Sequence, residues 1–351
     1  MWPFFQPQPI PKPPQSWYLA WGNSAKIAGT IWQDDRLAIF AGDASPSLLT
    51  FSPSQRFILI GEVWLSTRAS LPDREPYLSD LQAIALAWEK WETATLEKLT
   101  GSFALAVWDR EYQKLYLSRD PIGSRNLYYT TQGSTRWIAP TLRTLNPFHP
   151  REIDPIALRD YLCCSFVPGD RTMWLGTREL QPGTTLCLPT ERIDHYWQLP
   201  DFQIPRPDLA TLEDSSQQLR HLLTQVVREY LPPPEKPLGC FLSGGLDSSC
   251  VTALATQLHN GSVHSYSIHF GAESPNELEF SGLVAQHCGT QHHILEITFR
   301  QMWEELPATM AWLDDPIGDP LTVPNLLLGR LASQDVSIIL NGEGGDPCFG
   351  G

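Results

Sequence analysis

Six consecutive residues, Ser243-Gly244-Gly245-Leu246-Asp247-Ser248, have types and spacing that could do chemistry. Two adjacent glycines let a backbone turn tightly and approach an anion. The N-terminus of a helix starting here would add unpaired N–H groups and a partial positive charge. Asp247 is out of place in a plain phosphate cradle, because a carboxylate repels phosphate. It makes sense if it holds Mg²⁺ between itself and the phosphates. A tight turn with a Ser or Asp helix cap favours the same residue types. Five such positions in fixed order, however, arise by chance in on the order of 10⁻³ of chains or fewer. The segment therefore reads as a nucleotide-phosphate site.

The elements that must position it alternate. PLGCFL before the motif is a strand and SSCVTALATQLH after it a helix. VHSYSIHF (strand), ELEFSGLVAQHCG (helix), HHILEIT (strand), VPNLLLGRLASQ (helix) and VSIILNG (strand) follow. Such alternation predicts a parallel sheet with right-handed crossovers, whose ligands bind at the carboxyl ends of the strands. Upstream, Leu219, Leu222, Leu223, Val226 and Val227 put one apolar face on a helix over 212–230, which LPPPEKP stops.

The first half has a different pattern. WYLAW, KIAGTIW, RLAIFAG and FILIGEVWL predict strands in a meander. Leu81, Ile84, Ala85, Trp88 and Trp91 are at helical spacing behind Ser79 or Asp80 as N-cap. SFALAVWD, KLYLSRD and NLYYTT are three more strands, and DPIALRDYL is a short helix with Pro155 in its first turn. An α+β domain over 17–197 is expected, behind a Pro-rich tail (1–16). A linker (198–211) then leads to an α/β domain (212–351).

Composition narrows the function classes. The chain has 351 residues and a formal charge of −14, with 42% hydrophobic and 18% charged residues. That balance argues against disorder, and the acidity against a nucleic-acid partner. No apolar run reaches the roughly 18 residues of a membrane span, so no membrane partner is expected. Seven cysteines without C-x-x-C spacing argue against zinc or a disulfide framework, and for the cytoplasm.

The 243–248 segment resembles the PP-loop of ATP pyrophosphatases, and three further stretches resemble the asparagine synthetase family. They are GSFALAVWDREYQKLYLSRDPIGSRNLYY (101–129), LDDPIGDPLTVP (313–324) and Asn341-Gly342-Glu343-Gly344-Gly345-Asp346. The resemblance implies an N-terminal class II glutamine amidotransferase-like domain, an αββα sandwich of the Ntn type. An adenylating domain of the PP-loop α/β type would follow. It implies ATP and Mg²⁺ as cofactors. By position, Phe241 and Ile268 would flank adenine through their backbones, and Ser243, Gly244, Gly245 and Ser248 would cradle pyrophosphate. Asp247 and Asp346 would hold Mg²⁺. Asn341 and Gly342 would lie against AMP, and Glu343 would act beside the acyl group. The implied function is an ATP-dependent amide-forming ligase acting on a small carboxylate or peptide.

The chain also departs from the family. Amidotransferases of this class need Cys directly after the initiator Met, where its α-amine acts as base for its thiol. Position 2 is Trp, and no Cys occurs before Cys163. The asparagines flanking the family's glutamine-binding stretch are Ile60 and Leu65, and its acidic residue is Thr100. Loss of glutaminase activity is expected. Pro347 replaces a family carboxylate, and the stop at Gly351 points to a fragment or split gene product. A downstream polypeptide completing the domain, or a homodimer, is the expected partner. β-Lactam synthetases and lasso-peptide cyclases resemble the family without the N-terminal Cys and use an amine of the substrate, so that activity is an alternative. A truncated, non-catalytic nucleotide- or partner-binding protein is another.

Smaller candidates read structurally. His292 and His293 are adjacent on a strand and point to opposite faces, so they cannot easily chelate together. Cys163-Cys164, at a helix end, reads as buried thiols. Asp314, Asp315 and Asp319 either line a substrate pocket or cap the helix after Pro324.

Overall fold

The computed structural model describes residues 17–22, 29–41, 48–72, 78–149, 151–200, 211–271, 274, 277–345 and 348. The Pro-rich tail and most of the linker lie outside them. The chain divides into two compact units, Met1–Gln203 with Trp312–Gly318, and Ile204–Ala311 with Asp319–Gly351.

The first unit contains β1 (Trp17–Trp21), β2 (Trp32–Gln33), β3 (Leu37–Ala41), β4 (Leu49–Phe51), β5 (Phe57–Thr67), α1 (Asp80–Trp91), β6 (Thr100–Asp109), β7 (Lys114–Arg119), β8 (Tyr128–Gln132) and β9 (Thr135–Ala139). It continues with α2 (Leu142–Leu145), α3 (Pro155–Cys164), β10 (Arg178–Glu179), β11 (Thr184–Leu188) and β12 (Arg192–His195). The strands form two antiparallel six-stranded sheets, ordered β10-β8-β9-β1-β3-β2 and β12-β11-β7-β6-β5-β4.

This corrects the single meander. Strands β4 to β7 do run consecutively, but β1 pairs with β3 and β9 in the other sheet. One continuous sheet would leave two apolar faces uncovered. Two sheets let Trp17, Leu19, Ile39 and Ile138 bury Ile58, Ile60, Ala104 and Trp108. Of KIAGTIW, only Trp32 lies in a strand, and residues 23–28 lie outside the description.

On the outer face of the second sheet, Leu81, Ile84, Ala85 and Trp88 of α1 cover Phe57, Phe103, Leu105 and Val107. On the outer face of the first, Leu142 and Leu145 of α2 cover Tyr128 and Ala139. The result is the expected αββα layering. Ser79 is the N-cap of α1. Its hydroxyl accepts from Gln82 N at 3.2 Å, while the Gln82 side chain accepts from Ser79 N at 2.8 Å.

Strands β10 to β12 were not anticipated. Residues Thr184–Leu188 are buried throughout, and a short apolar run between Gly183 and Pro189 was the available signal. Cys163 and Cys164 are exposed, which corrects the buried reading. The reason is that α3 buries only Ala157 and leaves Leu162 74% exposed.

Within this unit the Asp314 carboxylate accepts from Leu142 N at the start of α2, and Asp315 accepts from Met173 N, both at 2.9 Å. Neither caps the helix after Pro324. Burial raises both carboxyls, that of Asp315 to about 6. A carboxyl raised on folding contributes most below its unfolded value, and the contribution is lost as pH rises through 6. Asp315→Asn keeps an acceptor for Met173. It is expected to stabilise the protein by on the order of 1 kcal/mol at pH 8 and by nothing near pH 3.5. Urea midpoints at the two pH values check this.

The second unit contains α4 (Leu212–Tyr230), β13 (Leu238–Phe241), α5 (Leu246–Leu258), β14 (Val263–His269), α6 (Leu278–Cys288), β15 (Gln291–Glu296), α7 (Phe299–Trp312, its last residue in the first unit), α8 (Thr322–Ala332) and β16 (Ile339–Leu340). The sheet is parallel, in the order β15-β14-β13-β16. Its two faces carry separate clusters, one on Leu238, Cys240 and Ala255 and the other on Tyr266, Leu328 and Ala332.

Helix α4 forms over the expected span, but only Val227 is buried, and Leu222 remains 54% exposed. Helix α7 was not anticipated because Pro307 lies inside it. Asp319 serves the start of α8, its carboxylate accepting from Leu321 N at 2.8 Å.

Candidate functional site

The 243–248 segment joins the carboxyl end of β13 to the start of α5. Leu242 N donates to Tyr266 O at 2.9 Å, holding the loop beside β14. Gly244 has φ +98°, and a Cβ there would lie 2.7 Å from Ser281 N and 2.8 Å from Phe280 Cβ. Both the backbone conformation and the approach of α6 therefore require glycine. The Ser243 and Ser248 hydroxyls are 3.0 Å apart. Ser243 N donates to Ser248 Oγ at 3.3 Å, and Gly245 N to Ser243 Oγ at 3.2 Å. These bonds shape the turn from inside.

Helix α5 begins at Leu246, two residues earlier than expected, so Asp247 and Ser248 lie in its first turn. Its N-cap, Gly245, supplies no side-chain cap. Among the described residues no side chain caps the first turn, and a helix end of this kind suits an anion.

The second motif meets the first because β16 is hydrogen-bonded to β13. Beyond Leu340, residues 342–345 turn back, with Gly345 N donating to Gly342 O at 3.3 Å. A Cβ on Gly342 would lie 2.8 Å from Ser248 N, and one on Gly345 would overlap the Asp247 carboxylate. Only glycines let this loop pack against the first turn of α5. Asn341 and Glu343 are exposed on it, and Asp247 is half-buried. Asp346 lies outside the described residues.

Phe241 ends β13, and Ile268 is the penultimate residue of β14. Both side chains pack against the cluster around Tyr266. What they leave at the strand ends is backbone. Ser243, Gly244, Gly245, Asp247, Ser248, Gly342 and Gly345 are thus brought together. A cradle with a carboxylate beside it can take a phosphate chain and its divalent cation.

Two hollows lie elsewhere among the described residues. In the first unit Asp34, Arg36, Arg56, Arg110 and Glu111 line one of about 390 Å³. In the second, Cys250, Leu283 and Cys288 line an apolar groove of about 410 Å³ between α5 and α6.

Two of the residues that depart from the amidotransferase pattern have structural jobs. Ile60 belongs to the inter-sheet core and Leu65 to the core beneath α1, while Thr100 is exposed. Trp2 lies outside the described residues. His292 and His293 do face opposite ways. His292 Nδ1 lies 2.8 Å from Ser265 Oγ, and His293 Nε2 lies 3.1 Å from His264 Nδ1. Sequence reasoning missed His264, although it sits in the strand next to β15.

Family models match both units. One described as asparagine synthase matches residues 218–351, and one described as glutamine amidotransferase domain matches residues 35–197. A putative glutamine-hydrolyzing asparagine synthetase of Mycobacterium tuberculosis H37Rv is 28% identical over 96% of this chain and 54% of its own length. A glutamine-hydrolyzing asparagine synthetase 1 of Bacillus subtilis is 28% identical over 78% of this chain and 43% of its own. The chain spans about half the length of the curated relatives it matches.

Proposed function

We propose, on the premise that this chain belongs to the asparagine synthetase family, that its second unit binds ATP and activates a carboxylate for amide formation. The observation that carries the reading is the meeting of the 243–248 and 342–345 loops at the uncapped start of α5. A substrate carboxylate oxygen attacks the α-phosphorus of ATP, forming the acyl-adenylate, and pyrophosphate leaves. The first-turn N–H groups of α5, with Ser243, Gly244, Gly245 and Ser248, receive the leaving charge. Asp247, with Asp346, is the place for Mg²⁺, which supplies charge neutralisation on the phosphates when bound. Phe241 and Ile268 offer backbone to the base, and Asn341 and Gly342 lie against the AMP half. An amine then attacks the acyl carbon, AMP leaves, and a carboxylate such as Glu343 accepts the amine's proton.

The seven cysteines, all free, suit a reducing cytoplasm. ATP–pyrophosphate exchange over a panel of carboxylates tests the reading. Mg²⁺-dependent exchange with one carboxylate class supports it, and no exchange with any of them leaves a nucleotide-binding protein without ligase activity.

We also propose that the amine is not made from glutamine here. Ile60 and Leu65 are built into cores, and an alkyl group cannot donate to an oxyanion. Free ammonia, or an amine carried by the substrate itself, is the donor. Incubation with glutamine is expected to release no ammonia above a heat-killed control, and measurable turnover would reverse this reading.

A further inference from the structure

The second unit holds another cluster of donor atoms, on neighbouring strands and the turn after α8. His264 lies on β14 and His293 on β15, and His293 is in register with Tyr266. His264 Nδ1 and His293 Nε2 are 3.1 Å apart, with ring planes within 7°. Asp335, in the turn between α8 and β16, places Oδ2 4.0 Å from His293 Nε2. All three donor atoms lie within 4.8 Å of one another. Tyr266, whose ring centroid is 4.8 Å from that of His293, donates its hydroxyl to Asp335 Oδ2 at 3.3 Å. His264 is buried, His293 half-buried and Asp335 exposed, so the cluster is rooted in the sheet and open to water.

Two imidazole nitrogens this close can share one proton as an N–H···N bond. Moving that proton to the far nitrogen of its own ring turns both lone pairs inward, with no net loss of a proton. Lone pairs facing each other repel unless a cation lies between them. We propose that His264, His293 and Asp335 bind a divalent cation of the zinc class, with Tyr266 orienting the carboxylate and water completing the coordination.

A tetrahedral ion with bonds of about 2.0–2.2 Å spaces its donors about 3.3–3.6 Å apart. The histidine pair is already near that spacing, and the exposed Asp335 carboxylate reaches it by rotation. Two imidazoles and one carboxylate favour zinc over the all-oxygen partners of Mg²⁺ or Ca²⁺. A hydrogen bond to the ligating carboxylate from a packed tyrosine is the support such a ligand needs. The ion would tie β14 and β15 to the turn leading into β16. The site stands apart from the proposed nucleotide loop and does not depend on ligase activity.

Titration of zinc into the untagged full chain by calorimetry tests the proposal, with the melting temperature read in parallel. One equivalent is expected, together with a rise in melting temperature. His293→Ala and Asp335→Asn should each weaken binding at least about tenfold, and Tyr266→Phe, which keeps the ring, should weaken it by about tenfold. Asp335 is exposed in a turn, so Asp335→Asn should fold even if His293→Ala does not, and zinc should no longer raise its melting temperature. Absence of a stoichiometric equivalent overturns the proposal. So does binding unchanged in Asp335→Asn and His293→Ala, which would place the zinc on exposed thiols such as Cys163 and Cys164.

Discussion

Asp247→Asn is expected to lower Mg²⁺-dependent ATP–pyrophosphate exchange by about 100-fold or more, while the melting temperature stays close to wild type. The exchange is to be measured on the full chain with whichever carboxylate supports it. Asparagine has nearly the size of aspartate, so it still fits beneath Gly345, where added bulk would collide. What it loses is the negative charge beside the phosphate cradle. Without the cation that this charge is proposed to hold, pyrophosphate would leave with less of its charge neutralised, and a cost of about 3 kcal/mol corresponds to that fall in rate. Raising Mg²⁺ should recover part of the exchange. Gly345→Val should also lose exchange, by pushing the 342–345 loop away from α5 rather than by changing charge. Wild-type exchange in Asp247→Asn would remove the assignment.

The other large effect lies in the first unit. Ala104→Asp and Leu105→Asp are each expected to abolish its cooperative melting transition. The alternating pattern of a strand requires only one of its faces to be core. In the structure both are. Ala104 is fully buried between the sheets, and Leu105 is fully buried beneath α1. A carboxylate at 105 is set among apolar side chains, and one at 104 stands in register with Glu62 and with an Arg119 already held by Glu179. Neither charge is compensated, and the expected cost is about 4 kcal/mol or more, a large share of a domain's stability. Ile122→Asp, at a position 75% exposed, should change stability by no more than about 0.5 kcal/mol. Thermal melting of the three variants checks the claim. A normal transition in either core variant would mean that the unit is not packed as two sheets between helices.

Much of the strand–loop–helix proposed to cradle phosphate was legible because its determinants are local. A short apolar strand, two glycines and a helix-forming run follow one another within about 20 residues, and each acts on the backbone where it stands. The same is true of the Ser79 cap and of the Pro155 helix start. The misses also have local causes. Pro307 disguised α7, and the brevity of β10 and β12 left them without a period to read.

The sequence by itself determined the strand–loop–helix around Asp247, the apolar faces of the strands and the change of pattern between the two halves. It could not determine what covers an apolar face or which loops meet. That β16 lies beside β13, bringing Gly342 and Gly345 onto Asp247, follows from strand order, and strand order is set by packing between distant segments. The same holds for β1 joining β9 instead of continuing a meander, and for Asp314 and Asp315 reaching Leu142 and Met173. It holds again for His293 meeting His264, because a period of two says which way a side chain points but not which strand lies beside it. Helix α4 is the converse case, since its apolar stripe predicts a helix correctly while the structure leaves most of that stripe in water. Periodicity is a property of one segment, whereas burial is a property of two.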